Sequence, residues 1–265
     1  MSPAAPALPA TLRFERDGRQ AWLTFDRAEA RNAMSWEMYD GLHAVCEHVD
    51  QDPELRVLVL RGAGDKAFVS GTDIRQFLDF TTREHALDYE QRIGRVLRRI
   101  YGMRKPTLAM VQGDAVGGGL FMALACDLRL AAAHARFGAP VARTLGNAPA
   151  PTSVSLLAAA VGPVRAREIL LTARLLDAAE ARQLGLVDEV HPAAELEGKV
   201  RELAGRLTEL APLTLAAAKE AIRRIIQPTW LTQAEDIVLS CYLSEDFREG
   251  VRAFLEKRKP AWHGR

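Results

Sequence analysis

From residue 11 onward, short and almost unbroken apolar runs alternate with longer stretches in which apolar positions recur every three to four residues. TLRFER and AWLTFD predict two strands joined by a turn at Asp17-Gly18. LRVLVLRG (55–62), TLAMVQG (107–113) and DLRLAAA (127–133) are nearly all apolar, the pattern of strands covered on both faces. Helical periods occupy 35–51, 86–103 and 117–126. The order β-α-β-α-β predicts an α/β fold with a mainly parallel sheet and crossover helices. Beyond about residue 150 the strands almost stop. Helical periods follow at 152–161, 163–172, 177–184, 193–210, 212–226, 230–243 and 246–257, and Asp177 with Glu180 three residues on marks one of the starts. The carboxyl third therefore reads as a helical extension.

Composition narrows the function classes. The 35 Lys and Arg against 34 Asp and Glu give a net charge of +1, so no global field favours nucleic acid or an anionic membrane, and an anionic small molecule has to be held locally. The opening MSPAAPALPA (1–10) is expected to be a disordered tail, with neither a basic start nor an apolar run of signal length. No apolar run is long enough to span a bilayer, and a cytoplasmic protein is expected. Cys46, Cys126 and Cys241 are widely spaced in apolar surroundings, as reduced core thiols are.

Several apparent motifs lead nowhere. RGAGDKAF supplies Gly62-x-Gly64 after a strand, but the third glycine of a dinucleotide fingerprint is replaced by Ala67, and Lys66 lacks the context of a phosphate loop. His43 and His48 are five apart and share no helix face, and no Cys-x-x-Cys occurs, so no metal site is expected. Ser70 lacks a nucleophile elbow.

Two glycine sites remain. KAFVSGTDIRQF (66–77) passes through Gly71 into a helix start, with Asp73 and Gln76 as a capping pair, and GDAVGGGLFMALACD (113–127) passes through Gly117, Gly118 and Gly119 into another. Taken singly, Gly71 permits a turn and the triplet lets a helix pack closely on a sheet. Together they offer unpaired N–H groups at two strand-to-helix junctions, which can form an oxyanion hole if they face one point.

The ordered segments DRAEARNAMS, LRVLVLRGAGDKAFVSGTDIRQF, KPTLAMVQGDAVGGGLFMALACDLRLAAAHARFGAP, AAEARQLGLVDEV and EGVRAFLEKRKPAW resemble the crotonase (enoyl-CoA hydratase/isomerase) superfamily over about residues 11–262. The resemblance implies a spiral of ββα units carrying the acyl-CoA site (11–200) and a C-terminal helical trimerisation region (201–265). It also implies assembly as a homo-trimer or dimer of trimers, and acyl-CoA thioester substrates, with coenzyme A as carrier and no permanently bound cofactor. It assigns the oxyanion donors to the backbone N–H groups of Thr72 and Gly118. Gly71, Asp73, Ile74 and Gly117 adjoin them as substrate contacts, Asp73 doubling as a helix cap. CoA phosphates and adenine are implied near Arg27 and, from an adjoining subunit, near the Lys257-Arg258-Lys259 run; Ala28 replaces the family's usual proline.

The departures bear on the reaction. Hydratases of the family carry one glutamate two residues after the triplet and another after the proline of FGxP, where this chain has Phe121 and Val141, the latter following Pro140. Adding water needs a group to take and return a proton. Asp114 is a candidate for it, in what reads as a strand-to-helix loop, and Arg143, Thr144 and Asn147 lie in the variable pocket segment, where Arg143 could orient a substrate carboxylate. His134 reads as a surface turn residue. The expectation is an enzyme stabilising a thioester enolate without the hydratase glutamates, suited to decarboxylation of a malonyl-type thioester or to isomerisation. The competing class is a non-catalytic acyl-CoA-binding or assembly subunit; RNA binding has no support from the charge balance.

Overall fold

Leu12–Asp17 (β1) and Gln20–Phe25 (β2) pair antiparallel, with Asp17 opposite Gln20, so the hairpin turns at Gly18-Arg19, where Gly18 has φ +56°. In this computed structural model, residues 5–78, 80–226, 239 and 241–263 are described. Trp36–Gln51 (α1) follows, and the chain then repeats one motif. Val57–Gly62 (β3), Ala67–Val69 (β4) and Arg83–Tyr101 (α2) form a first unit. Thr107–Val111 (β5), Asp114–Val116 (β6) and Gly118–Ala125 (α3) form a second. Leu128–Ala132 (β7) and Arg136–Gly138 (β8) open a third, followed by Val141–Thr144 (α4) and Pro151–Thr172 (α5). Leu176–Asp177 (β9), Ala178–Gln183 (α6), Glu189–His191 (β10), Ala193–Thr208 (α7), Pro212–Ile226 (α8) and Glu245–Leu255 (α9) complete the chain.

Each unit gives its first strand to one sheet and its second to another. The six-stranded sheet runs β1-β2-β3-β5-β7-β10 and the four-stranded one β4-β6-β8-β9. Apart from β1 with β2 and β8 with β9, neighbouring strands are parallel. The chain thus advances one strand position per turn in both sheets, a spiral of ββα units. The large sheet is covered twice. Leu58, Leu60, Ala109 and Val111 face the main core with α1, α2 and α3, while Val57, Val59, Leu108 and Met110 pack beneath Leu196, Val200 and Ala204 of α7. That double burial explains why its central strands carry almost no polar residues.

The second sheet was the part hidden in the sequence, because strands of two or three residues leave no periodicity to read. Asp114 accordingly stands at the start of β6 rather than in a loop. Elsewhere the helical reading holds: α5 is broken at Gly162 (φ +77°), between the two predicted segments, and the Asp177 carboxylate accepts the Glu180 N–H at the start of α6. The predicted helix at 230–243 lies mostly outside the described residues. At the amino end, Leu8 packs on the main core and lies beside Gly41, so the ordered body begins before residue 11. On α8, Leu213, Ile222 and Ile225 are more than half exposed. Among the described residues no helix is long and apolar enough to cross a membrane.

Candidate active site

Because β4 and β6 are parallel neighbours, the junctions that follow them come to lie side by side. A Cβ on Gly71 (φ +112°) would sit 3.6 Å from the Gly118 nitrogen. Each glycine of the triplet has its own reason. Gly117 caps α3 with φ +56°, and a side chain on Gly119 would collide with the Val69 carbonyl. Gly118 stands between them with its amide at the first turn of α3.

The two amides are open. Met34 N–H donates to the Gly71 carbonyl and Asp73 N–H to the Met34 carbonyl, each at 2.9 Å, a parallel bridge that turns the Thr72 N–H the other way. Gly117 N–H donates to the Gly138 carbonyl. Among the described residues, neither the Thr72 nor the Gly118 amide has an acceptor, and the α3 dipole adds to the positive potential there.

The first junction is braced from beneath. Asp73 caps a short 3-10 turn, Ile74–Phe77, and its carboxyl is held down to about 2 by the Arg75 guanidinium and then by Arg27, which outweigh partial burial. Arg27 bonds Asp73 at 3.1 Å and the Ala33 carbonyl at 2.7 Å, so its guanidinium ties the loop at 27–33 to the Thr72 loop. Gln76 does not cap its own turn as predicted. Its Oε1 accepts the Trp36 N–H at the start of α1 and its Nε2 donates to the Met34 carbonyl, sewing the junction to α1.

The Thr72 side chain joins a cluster of hydroxyls with one acid that sequence reasoning missed. Thr72 Oγ1 is 2.8 Å from the Tyr39 hydroxyl and 3.1 Å from that of Tyr89. Tyr242 packs against Tyr89, donates to Glu90 Oε1 at 2.9 Å and accepts from Asn147 Nδ2 at 3.1 Å. Burial pushes the Tyr39, Tyr89 and Tyr242 phenols up, and it pushes Glu90 up to about 7 against the opposing bond from Tyr242. A signal for Glu90 existed in the sequence. The apolar face of α2 runs through Ala86, Ile93, Leu97 and Ile100, and Glu90 falls on that face, four residues after Ala86 and three before Ile93. Phe77, Phe80 and Phe247 close around these groups, Phe247 arriving with α9.

The remaining predicted residues divide. Ile74 packs on the aromatic cluster, Phe121 is buried in the main core, Pro140 caps α4 and Val141 is half-buried in its first turn. Arg136 holds the Asp114 carboxylate in a two-point pair at 2.7 and 2.9 Å, across the β6–β8 edge. Arg143 is exposed, and Thr144 bonds the Pro140 carbonyl. His134 is a surface residue near the Asp65 carbonyl. In the carboxyl run Lys257 and Lys259 are exposed, while Arg258 is drawn to Glu249, whose carboxyl Arg258 and Arg252 hold far below the ordinary range. Cys46, Cys126 and Cys241 form no disulfide with one another. Among the described residues no three His, Cys, Asp or Glu side chains gather as metal ligands.

The family model of enoyl-CoA hydratase/isomerase matches residues 17–265. A short-chain-enoyl-CoA hydratase of Clostridium acetobutylicum is 34% identical over 93% of this chain and 95% of its own. An (E)-benzylidenesuccinyl-CoA hydratase of Thauera aromatica is 35% identical over 97% of this chain and 100% of its own. A solved structure of a methylmalonyl-CoA decarboxylase in complex with 2-nitronate-propionyl-CoA superposes with a TM-score of 0.86 at 28% identity, covering 98% of this chain and 100% of that one.

Proposed function

Since the chain belongs to the enoyl-CoA hydratase/isomerase family, we propose that it binds an acyl-CoA thioester with the carbonyl oxygen between the amides of Thr72 and Gly118 and stabilises the enolate that forms there. The observation that carries this reading is the pair of open N–H groups at adjoining strand-to-helix junctions. Negative charge grows on the thioester oxygen as the enolate develops. Each preorganised donor contributes about 3 kcal/mol to that state, more than to the neutral carbonyl. Gly71 and Gly117 let the oxygen approach, and Ile74, Phe121, Pro140 and Val141 supply an apolar surround that keeps water out.

With Phe121 and Val141 where hydratases carry glutamates, activation of water is disfavoured. Loss of CO2 from a malonyl-type thioester generates the same enolate without a base, and a double-bond shift needs only one proton carrier. In this reading Arg143 meets a substrate carboxylate, and Lys257 and Lys259 meet CoA phosphates. The exposed apolar residues of α8 support assembly as a trimer or dimer of trimers, with light scattering at micromolar concentration as its check; a monomer would overturn it. The apolar side chains at 121 and 141 also favour a second reading, a non-catalytic acyl-CoA-binding subunit.

A panel of enoyl-, malonyl- and hydroxyacyl-CoA thioesters, assayed for altered products and by calorimetry for binding, tests both readings. Decarboxylation or isomerisation supports the first. Tight binding without turnover supports the second, and no binding overturns both.

A further inference from the structure

Enolate chemistry leaves a proton to be moved, and the two family positions for a carboxyl group are apolar here. The other carboxylates near the junctions are committed: Asp73 to Arg75 and Arg27, and Asp114 to Arg136. Glu90 differs. Among the described residues no cation pairs with it; Tyr242 holds Oε1 and no described residue holds Oε2. The helix that carries it also presents Tyr89, whose hydroxyl touches Thr72 Oγ1, so carboxyl and anion site are linked by adjacent residues of one turn. Among the described residues, the groups facing it from packed elements are phenols and an amide: Tyr39 of α1, Tyr89 of α2, Asn147 after α4 and Tyr242 before α9. None of them carries charge near neutral pH.

Resting on the thioester-enolate reading above, we propose that Glu90 is the acid–base residue of this site, oriented by Tyr242 and Asn147, in place of the two glutamates that positions 121 and 141 lack. In the protonation direction the Glu90 O–H bond breaks and the proton forms a C–H bond at the α-carbon; the enolate C=C supplies the electron pair and its oxygen returns to a carbonyl. Glu90 is left as a carboxylate and reloads from water, which its half-buried position admits. In a double-bond shift the same oxygen takes one proton and returns it two carbons away, leaving Glu90 as it began. A carboxyl that changes state near neutrality suits both directions.

The test follows exchange of the α-hydrogens of butyryl-CoA in heavy water by NMR, for the wild type, Glu90→Gln, Glu90→Asp and Tyr242→Phe, across pH 5–9. The wild-type rate is expected to rise with pH through an inflection near 7. Glu90→Gln is expected to lose at least about 100-fold and the inflection with it, while butyryl-CoA affinity measured by calorimetry stays within about twofold. Glu90→Asp retains the inflection at a reduced rate. Tyr242→Phe removes a bond that favours the carboxylate, so its inflection moves to higher pH, and this readout stands even if Glu90→Gln fails to fold. Wild-type exchange surviving in folded Glu90→Gln, or an inflection unmoved by Tyr242→Phe, overturns the proposal and leaves the thioester reading intact. A wild type that binds butyryl-CoA without exchanging it also overturns the role of Glu90, whereas one that does not bind any acyl-CoA overturns the underlying function as well.

Discussion

The floor and the roof of the proposed site are built from different kinds of information. The floor is two backbone amides, fixed by Gly71 and the 117–119 triplet; its brace, Arg27 to Asp73, spans 46 residues. The roof is side chains: Phe77, Tyr89 and Glu90 from around α2, Asn147 after α4, and Tyr242 and Phe247 from a segment about 150 residues further on. A floor made of N–H groups survives substitution of side chains. A roof made of side chains is where a different proton carrier can appear.

Breaking the roof should give the largest effect on stability. Phe247→Ala removes a fully buried ring that packs on Phe77 and Tyr242, and is expected to destabilise the protein by about 3–5 kcal/mol, read as a lowered midpoint in urea. Breaking the floor should do the converse. Gly118→Pro deletes one donor at the first helical position, which tolerates proline. It should leave the fold intact by circular dichroism while lowering turnover by about 10²–10³-fold. An active Gly118→Pro enzyme would remove that amide from the mechanism.

The contrast sharpens with substrate choice. Hydration of crotonyl-CoA should be at least about 100-fold slower than in a glutamate-bearing relative, since neither position 121 nor 141 supplies an acid. Hydration at an ordinary family rate would show that the roof alone replaces both. Phe121→Glu in a folded protein should raise it.

The pH dependence of stability separates the two regions further. A carboxyl whose folded value, about 7, exceeds its unfolded value of 4.5 releases its proton first in the unfolded chain. Between about pH 4.5 and 7 the unfolded state therefore binds fewer protons, and stability falls as pH rises, by about 1–2 kcal/mol for a half-buried group. Glu90→Gln should abolish that fall in urea titrations. Asp73 acts oppositely, its stabilisation being present above about pH 4 and lost toward 2. The smallest effect is expected at the rim: Lys257→Ala with Lys259→Ala should weaken CoA binding a few-fold, and less so at high salt, because both residues are exposed.

Legibility follows the same division. The apolar runs of β3, β5 and β7, the break of α5 at Gly162 and the glycines of both junctions were readable because each leaves a local mark. Strands β4, β6 and β8 were not, being too short for periodicity, and Asp114 was misplaced as a result. Gln76 was read as a cap for its own turn because a capping box is a local pattern, whereas its partner at Trp36 is 40 residues away. Glu90 was readable in principle as an acid on the apolar face of α2. Its meaning depended on Tyr242, 152 residues distant, and no spacing rule connects the two.

The most direct measurement is a crystal structure with an unreactive acyl-CoA thioester bound. The thioester oxygen is expected within about 3 Å of both the Thr72 and Gly118 nitrogens, with the acyl group beneath the Phe77–Tyr242–Phe247 roof. A thioester seated with its oxygen away from these amides, or amides consumed by internal hydrogen bonds once the ligand is bound, would contradict it.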